Sequence, residues 1–240
     1  MLSKNQRKQI LQLSKKKYRL SSGLFIAEGE KLVNDLIVSG WSFKMLFTTN
    51  NDFHPEANLL TFDEMKMITH FKTPSPVLGV FNFPLKKDIL AESITIGIDG
   101  VSDPGNLGTI IRLCDWFGLS ELICSNDTVD CFNPKVIQAS MGSIARVRCH
   151  YVIDLGATLS KLKKPIYGTS VYGASIYETR LSQKASYVFG SESHGISLSV
   201  SDNLNGEFSI PQLRKGSSKA ESLNVATASA IFLGEIFRRS

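Results

Sequence analysis

Three polar loops hold the side chains of this 240-residue chain that could bind a ligand or move a proton. They span residues 99–108, 188–195 and 210–226, and each follows a short apolar segment with the character of a strand. A glycine-containing turn between a strand and a helix can bring backbone N–H groups against an anion. For the first loop, residues 99–108, anion binding is therefore one interpretation, and a plain tight turn is the other.

No common nucleotide-binding or hydrolase motif explains the loops. Neither GxGxxG nor GxxxxGK[ST] occurs in the chain. The nucleophile pattern GxSxG fails at Ser193, because Ser191 stands where its first glycine belongs. In an extended chain the adjacent His194 would point away from Ser193, so serine hydrolysis is disfavoured and His194 is expected to be an exposed polar residue. Arg112 has an ordinary interpretation as a surface residue paired with Asp115.

Alternating strands and helices from residue 94 onward would position these loops. The predicted strands are 94–98, 120–124, 146–152, 165–169, 186–190 and 207–210, and the predicted helices are 107–117, 134–143, 155–162 and 222–238. This alternation predicts a mostly parallel α/β sheet with helices on both faces. Ser222 could cap the last helix. Ligands of such sheets bind beyond the carboxyl ends of the strands, where the three loops would gather.

A smaller α/β unit precedes this sheet. Its pattern predicts strands at 24–27, 43–48 and 77–83 and helices around 32–37 and 62–70. We therefore assign residues 1–85 to a first domain, 86–93 to a linker and 94–240 to a second domain.

The positive charge of the chain is concentrated at its N-terminus. Residues 1–20 contain no acid, and the other 220 residues carry a net charge of −2. The seven cations of this segment are Lys4, Arg7, Lys8, Lys15, Lys16, Lys17 and Arg19. Such a block can hold a nucleic-acid backbone or an anionic membrane, or it can be a solvated helix face. Nucleic acid and the solvated helix are the two leading interpretations.

The composition is that of an ordinary globular protein, with 42% hydrophobic and 20% charged residues. No apolar run is long enough to span a membrane, and the first 20 residues are too polar for the apolar core of a secretory signal. The four cysteines form no CxxC pair, so neither a disulfide framework nor a zinc site is indicated. We expect a cytoplasmic protein with reduced, mostly buried cysteines and no metal.

In order and spacing, the three loops resemble the three motifs of the SpoU (TrmH-like) branch of the SPOUT RNA methyltransferases. The matching segments are Pro104-Gly105-Asn106-Leu107-Gly108 with Arg112, Phe189-Gly190-Ser191-Glu192 with Gly195, and Ile210-Pro211 with Ser222-Leu223-Asn224-Val225. Residues 133–142 are similar to a helix between the first two motifs, and 25–31 to a ribosomal-protein-like substrate-binding domain of many members. Residues 212–221 depart from compact members by being longer and more basic, with Arg214, Lys215, Gly216 and Lys219.

This resemblance implies S-adenosylmethionine-dependent methylation of a ribose 2′-hydroxyl in structured RNA. It also implies a C-terminal trefoil knot and an obligate homodimer, whereas general topology rules alone predict an ordinary doubly wound sheet. The implied catalytic residues are Asn106, Arg112, Glu192, Ser222 and Asn224. The implied cofactor-binding residues are Thr169, Gly190, Ile210 and Leu223. The seven N-terminal cations would bind the RNA backbone.

The family proposal gives the arginine of the first motif a part in deprotonating the hydroxyl. Because a guanidinium normally stays protonated, we expect Arg112 to hold the adjacent phosphate and stabilise the alkoxide instead. The other four catalytic candidates would position the ribose through hydrogen bonds.

Two other functions remain open at this point. The same fold could serve as an RNA-binding or assembly factor without transferring a methyl group, or it could methylate a base atom. The motif Ser222-Leu223-Asn224 favours ribose methylation. The N-terminal domain favours ribosomal RNA over transfer RNA, and the nucleotide that is modified cannot be read from the sequence.

Overall fold

A computed structural model describes residues 2–90, 92–213 and 221–238. Four residues named for the basic segment 212–221, Arg214, Lys215, Gly216 and Lys219, lie outside these ranges. The helices found in the described ranges are α1 (Lys4–Gln12), α2 (Lys16–Ser22), α3 (Glu30–Val38), α4 (Phe62–Lys66), α5 (Pro104–Trp116), α6 (Pro134–Ala139), α7 (Leu155–Ser160), α8 (Leu198–Ser201) and α9 (Val225–Phe237), with a 3₁₀ turn at Ser143–Ala145. The strands are β1 (Leu24–Glu28), β2 (Phe43–Thr48), β3 (Asn58–Leu59), β4 (Val77–Asn82), β5 (Ile94–Asp99), β6 (Glu121–Ser125), β7 (Arg148–Val152), β8 (Ile166–Ser175), β9 (Ala185–Gly190) and β10 (Gly206–Ser209).

The contacts divide the chain into two units, and the first combines residues 1–87 with 130–146. Its sheet has the strand order β1-β4-β2-β3, with β4 antiparallel to both β1 and β2. All five residues of β1 are buried, and the core of this unit is built from the apolar residues of α1, β1, β2 and β4. The predicted small α/β unit is therefore present.

Residues 130–146 belong to the first unit although the sequence places them inside the predicted second domain. The ring of Phe132 lies 4.8 Å from that of Phe25 on β1. The buried Arg19 guanidinium donates to Asp130 Oδ2 through Nη2 at 2.7 Å and through Nε at 2.9 Å. A buried ion pair is costly to break from one side, so this segment is firmly part of the first unit.

The second unit contains residues 88–129 and 147–240 and is built on a six-stranded sheet of order β10-β8-β9-β5-β6-β7. Every pairing in this sheet is parallel, as predicted. Val188 of β9 packs in a cluster with Leu159 of α7, while the next residue, Phe189, contacts Phe232 of α9 with ring centroids 5.6 Å apart. Because successive side chains of a strand point to opposite faces, helices cover both faces of the sheet.

The differences from the predicted elements have local causes. The first helix of the second unit begins at Pro104 because Asp103 caps it, accepting from Asn106 N at 2.9 Å. The last helix begins at Val225 because its cap is Asn224, so the predicted cap Ser222 is wrong. The eighth strand extends to Ser175, well past the predicted end at residue 169. The helices α1, α2 and α8 and the short strand β3 were not predicted.

The cysteines lie mostly inside the protein, as expected. Of the four, Cys114, Cys124 and Cys131 are buried and Cys149 is half-buried. Burial raises the pKa of the Cys114 thiol to about 12, so it stays protonated and unreactive at neutral pH. None of the helices in the described ranges has the length and apolar character needed to span a bilayer.

Candidate active site

A chain of hydrogen bonds joins the three predicted loops within the second unit. Asn106 Nδ2 donates to Glu192 Oε1, and Asn224 Nδ2 donates to Asn106 Oδ1 at 2.8 Å. Glu192 and Asn224 are exposed, and Asn106 is half-buried. The structure therefore brings together three of the five predicted catalytic residues, one from each loop.

The direction of these hydrogen bonds is fixed by the cap of α9. Asn224 Oδ1 accepts from the backbone N–H groups of Ala226 at 3.0 Å and Thr227 at 3.1 Å, at the start of α9. Its Nδ2 is consequently the atom that faces Asn106, whose oxygen must accept. The amide nitrogen of Asn106 is then left for Glu192, which as a carboxylate can only accept. A reversed amide at either asparagine would break this pattern.

Glu192 lies in a tight turn that follows β9. Ser191 and Gly195 exchange two backbone hydrogen bonds of 3.0 and 2.9 Å, and Gly195 has a φ of +67°. The turn packs directly on Gly190, where a Cβ would lie 2.3 Å from the Gly195 carbonyl carbon. A side chain at position 190 would thus collide with the backbone of the same turn. The backbone that lies close to Gly190 in this structure is that of residues 195–196.

The same turn corrects one prediction about Ser193 and His194. Because the backbone turns here and is not extended, Ser193 Oγ lies 2.7 Å from His194 Nδ1, so the two side chains do not point apart. His194 is exposed, as expected. In the described part of the chain no acid contacts the other ring nitrogen, so the third group of a hydrolytic triad is lacking.

Arg112 and Ser222 are not joined to the hydrogen-bonded chain. Arg112 is exposed on α5, six residues after Asn106, which places it roughly 9 Å further along the helix axis. No ion pair found between described residues includes Arg112. Ser222 is also exposed, and no hydrogen bond links it to other described residues. The Arg112 guanidinium is free to bind an anion brought by a ligand.

Two of the predicted cofactor residues lie at the carboxyl ends of strands, and a third lies within the strand between them. Ile210 follows β10, Thr169 lies in β8 and Gly190 ends β9, and these strands are adjacent in the order β10-β8-β9. Ile210 is half-buried, and Leu223 is 47% exposed. Accessible aliphatic side chains beside a glycine-lined backbone are suited to the flat, apolar faces of an adenine ring. These residues fit S-adenosylmethionine.

The N-terminal cations divide into six exposed residues and one buried residue. The exposed ones, which we call the N-terminal basic face, are Lys4, Arg7, Lys8, Lys15, Lys16 and Lys17. Arg19 is 1% exposed and donates to Asp130 and to the carbonyl oxygens of Leu13 and Ser14. Its donors are therefore engaged within the protein, and the expectation that Arg19 contacts RNA is not supported.

Two acids that support the loops were missed by the sequence analysis. Asp103 caps α5 and so sets the position of Asn106. Buried Asp99, at the end of β5, accepts from Ser197 N at 2.7 Å and anchors the segment after the Glu192 turn. An aspartate before Pro-Gly at a helix start was a recognisable capping signal for Asp103. No pattern in the sequence pointed to the contact of Asp99 with a residue 98 positions away.

Comparison with known proteins identifies related families for both parts of the chain. Residues 93–234 match the SpoU rRNA methylase family, and residues 4–79 match the MRM3-like substrate binding domain. The first match covers more than half of the chain and includes all three loops.

Individual relatives extend over almost the whole chain. It is 30% identical over 246 residues to the 23S rRNA (guanosine(2553)-2′-O)-methyltransferase RlmP of Bacillus subtilis, covering 96% of each protein. A structure of a putative RNA methyltransferase of the TrmH family from Porphyromonas gingivalis superposes with a TM-score of 0.87 at 36% identity, over 100% of both chains. An AdoMet-bound rRNA methyltransferase from Sinorhizobium meliloti superposes with a TM-score of 0.85 at 28% identity, over 99% of this chain and 96% of the other.

Proposed function

Because the chain belongs to the SpoU rRNA methylase family, we propose that it methylates a ribose 2′-hydroxyl of ribosomal RNA with S-adenosylmethionine as the methyl donor. The observation that carries this proposal is the hydrogen-bonded chain Glu192–Asn106–Asn224, which links the three loops at the carboxyl edge of a parallel sheet. The relatives named as 2′-O-methyltransferases and the AdoMet-bound S. meliloti structure support the reaction and the cofactor.

The reaction requires the 2′-hydroxyl to become a better nucleophile. Bound S-adenosylmethionine supplies a methyl group that is already activated by its sulfonium. Methyl transfer would break the bond between the sulfonium and its methyl group and release the hydroxyl proton to solvent water. The protein must therefore orient the hydroxyl and stabilise the negative charge that develops on its oxygen. Glu192 has one carboxylate oxygen occupied by Asn106, which leaves the other to accept a hydrogen bond from the ribose.

Arg112 is proposed to bind the phosphate next to the target ribose and to stabilise the alkoxide. Its exposure and its lack of an ion pair within the described residues support this role over a structural one. A protonated guanidinium cannot accept the hydroxyl proton, so direct action as a base remains the less favoured version. Ser222 is proposed to hydrogen-bond the ribose once RNA is bound.

The cofactor pocket is proposed to include Thr169, Gly190, Ile210 and Leu223. A trefoil knot formed by the three loops and a homodimer of the second unit belong to the same proposal. Close packing of α5 on α9, with Phe117 stacked on Phe237 at 5.2 Å, would give the two helices a firm common surface for a second copy. The proposed compartment is the cytoplasm, where ribosomal RNA is available in bacteria.

The first unit, which was expected as residues 1–85 with a linker at 86–93 and also includes 130–146, would bind RNA. Lys4, Arg7 and Lys8 are spaced three and four residues apart on α1 and so share one side of that helix, while Ile10 on another side is buried. A row of exposed cations can neutralise successive phosphates and release their counterions. This arrangement supports the assignment of the N-terminal basic face to the RNA backbone.

The proposal is tested by mapping 2′-O-methyl groups in total RNA from cells with and without this protein. We expect the loss of one methylated ribose in ribosomal RNA and its return when the wild-type gene is restored. Restoration with Glu192→Ala should fail to return it. A change confined to transfer RNA, or to a methylated base, would show that the proposed substrate or reaction is wrong.

A further inference from the structure

An exposed tyrosine is presented beside the proposed cofactor pocket by a bulge in β8. Between Gly168 and Ala174 the ladder with β10 skips five residues, because Glu207 pairs with Gly168 and the next residue, Phe208, pairs with Ala174. Residues 169–173 therefore have no partner on β10. Bulges commonly occur next to active sites, where they redirect a side chain.

The bulge lies between two proposed cofactor residues. Gly168, just before it, pairs with Val188, two residues before Gly190 on β9. Phe208, opposite its end, stands two residues before Ile210. Because the three strands are parallel and the bulge begins one residue after the pair Gly168–Val188, it lies toward the same carboxyl end of the sheet as the proposed site. The RNA strand that carries the target ribose must approach this edge.

The tip of the bulge is apolar and open to solvent. Val171 is 56% and Tyr172 is 93% exposed. A single exposed aromatic residue on a protein surface needs no explanation by itself. Here, however, two consecutive large side chains lie at the tip of a bulge that is next to a proposed RNA-modifying site.

The bulge is held in one conformation by contacts at its base. Tyr172 N donates to Ser170 Oγ at 3.1 Å, and Ser209 Oγ donates to the Gly173 carbonyl oxygen at 2.7 Å. Gly173 packs so closely on β10 that a Cβ there would lie 2.5 Å from the Glu207 carbonyl carbon. The Tyr172 side chain is therefore carried on an ordered backbone, which reduces the entropy lost when it binds a partner.

We propose that Tyr172 is an RNA-binding residue that stacks on a nucleobase next to the methylated nucleotide. Tyrosine rings are common platforms for unstacked bases, and single-stranded elements are the parts of structured RNA whose bases can be reached in this way. This inference rests on the proposed function and adds a base contact to it. The tyrosine would hold the strand in register while Arg112 binds phosphate.

The experiment measures methyl transfer to ribosomal RNA extracted from cells that lack the protein. Wild type is compared with Tyr172→Ala, Tyr172→Phe and the matched control Tyr177→Ala, which removes a 58% exposed tyrosine outside the bulge. Initial rates give kcat and the KM for RNA, and calorimetry gives the Kd for S-adenosylmethionine. Thermal melting and light scattering show whether each variant keeps its fold and assembly.

Loss of one base–aromatic stack should raise the KM for RNA by roughly 5- to 100-fold in Tyr172→Ala. The S-adenosylmethionine Kd and the melting temperature should stay at wild-type values. Tyr172→Phe should restore the KM because its ring stacks equally well, and Tyr177→Ala should have no effect.

Three results would overturn the inference. The first is a KM for RNA within twofold of wild type in Tyr172→Ala. The second is a loss of S-adenosylmethionine affinity with an unchanged KM for RNA, which would mean that Tyr172 covers the cofactor. The third is a change of oligomeric state, which would place Tyr172 in a subunit interface. If wild type itself transfers no methyl group to this RNA, it is the proposed function that fails.

Discussion

Replacing Asn106 by aspartate tests the hydrogen-bonded chain with an almost isosteric change. The Asn106 amide nitrogen donates to the Glu192 carboxylate, and its oxygen accepts from Asn224. The change Asn106→Asp keeps the bond from Asn224 but faces Glu192 with a second carboxylate. The variant therefore loses one hydrogen bond to a charged group and gains a repulsion.

The magnitude follows from these two effects. A hydrogen bond to a charged group contributes about 1.5–3 kcal/mol. Two unit charges at hydrogen-bond separation, ~3 Å, repel by about 1.4 kcal/mol in water, and the site is exposed enough for this lower value to apply. A combined cost of about 3–4 kcal/mol corresponds to a decrease of roughly 10²–10³ in kcat/KM.

The assay is the initial rate of methyl transfer to unmethylated ribosomal RNA, measured between pH 5 and pH 8. The deficit of Asn106→Asp should shrink as the pH falls, because one carboxyl of a like-charged pair takes up a proton more readily and can then donate to the other. Adding Glu192→Gln to Asn106→Asp returns a donor opposite the new acid, so it should restore the melting temperature but not the rate. A kcat/KM within twofold of wild type in Asn106→Asp would refute this reasoning.

Three further changes separate catalysis, cofactor binding and stability. Arg112→Ala should lower the transfer rate by roughly two to three orders of magnitude and leave S-adenosylmethionine affinity nearly intact. Arg112→Lys should recover little of the lost rate. A normal rate in Arg112→Ala would show that this surface residue has no part in the reaction. Gly190→Val places side-chain atoms where the Gly195 backbone lies, so calorimetry should find no S-adenosylmethionine binding, and retained binding would contradict the role given to this turn. Arg19→Ala leaves Asp130 buried without its partner and should lower the free energy of unfolding by about 3–5 kcal/mol, which corresponds to a melting temperature roughly 10 °C lower. The control Arg7→Ala, at an exposed position, should melt like wild type. Equal melting of the two variants would mean that the buried pair is dispensable.

The N-terminal basic face gives a prediction about salt. Neutralising its three lysines at positions 15–17 should weaken RNA binding and reduce the salt dependence of the affinity by about one unit of log–log slope per lost phosphate contact. Substitution is a cleaner test than removal of residues 1–85. Such a truncation would strip Phe132 and Asp130 of the partners that bury them in the first unit. An unchanged slope would identify these cations as a solvated face.

Local patterns predicted most of the fold, because strands and helices with clear periodicity and glycine or proline boundaries depend on short-range rules. The parallel sheet followed from their alternation. The membership of residues 130–146 in the first unit could not be predicted, since it depends on the pairing of Arg19 with Asp130 across 111 positions. The bulge at 169–173 was also hidden, because it arises from register with β10.

The candidate site was predicted in the same uneven way. Asn106, Glu192 and Asn224 each lie in a recognisable motif, but which of their atoms meet depends on the cap of α9. That cap is Asn224 and not the predicted Ser222. Arg19 had been counted with six other cations because charge alone does not reveal burial. The prediction that the side chains of Ser193 and His194 point apart was wrong, because it assumed an extended backbone where the chain forms a turn.

The most direct test of the central claim is nucleoside analysis of the product. Purified protein is incubated with isotopically labelled S-adenosylmethionine and ribosomal RNA from cells that lack it, and the RNA is digested to nucleosides and separated by mass spectrometry. We predict label in a single 2′-O-methylnucleoside, with none when Glu192→Ala replaces the wild type. Label in a base-methylated nucleoside, or no transfer by folded protein that binds S-adenosylmethionine, would contradict the account.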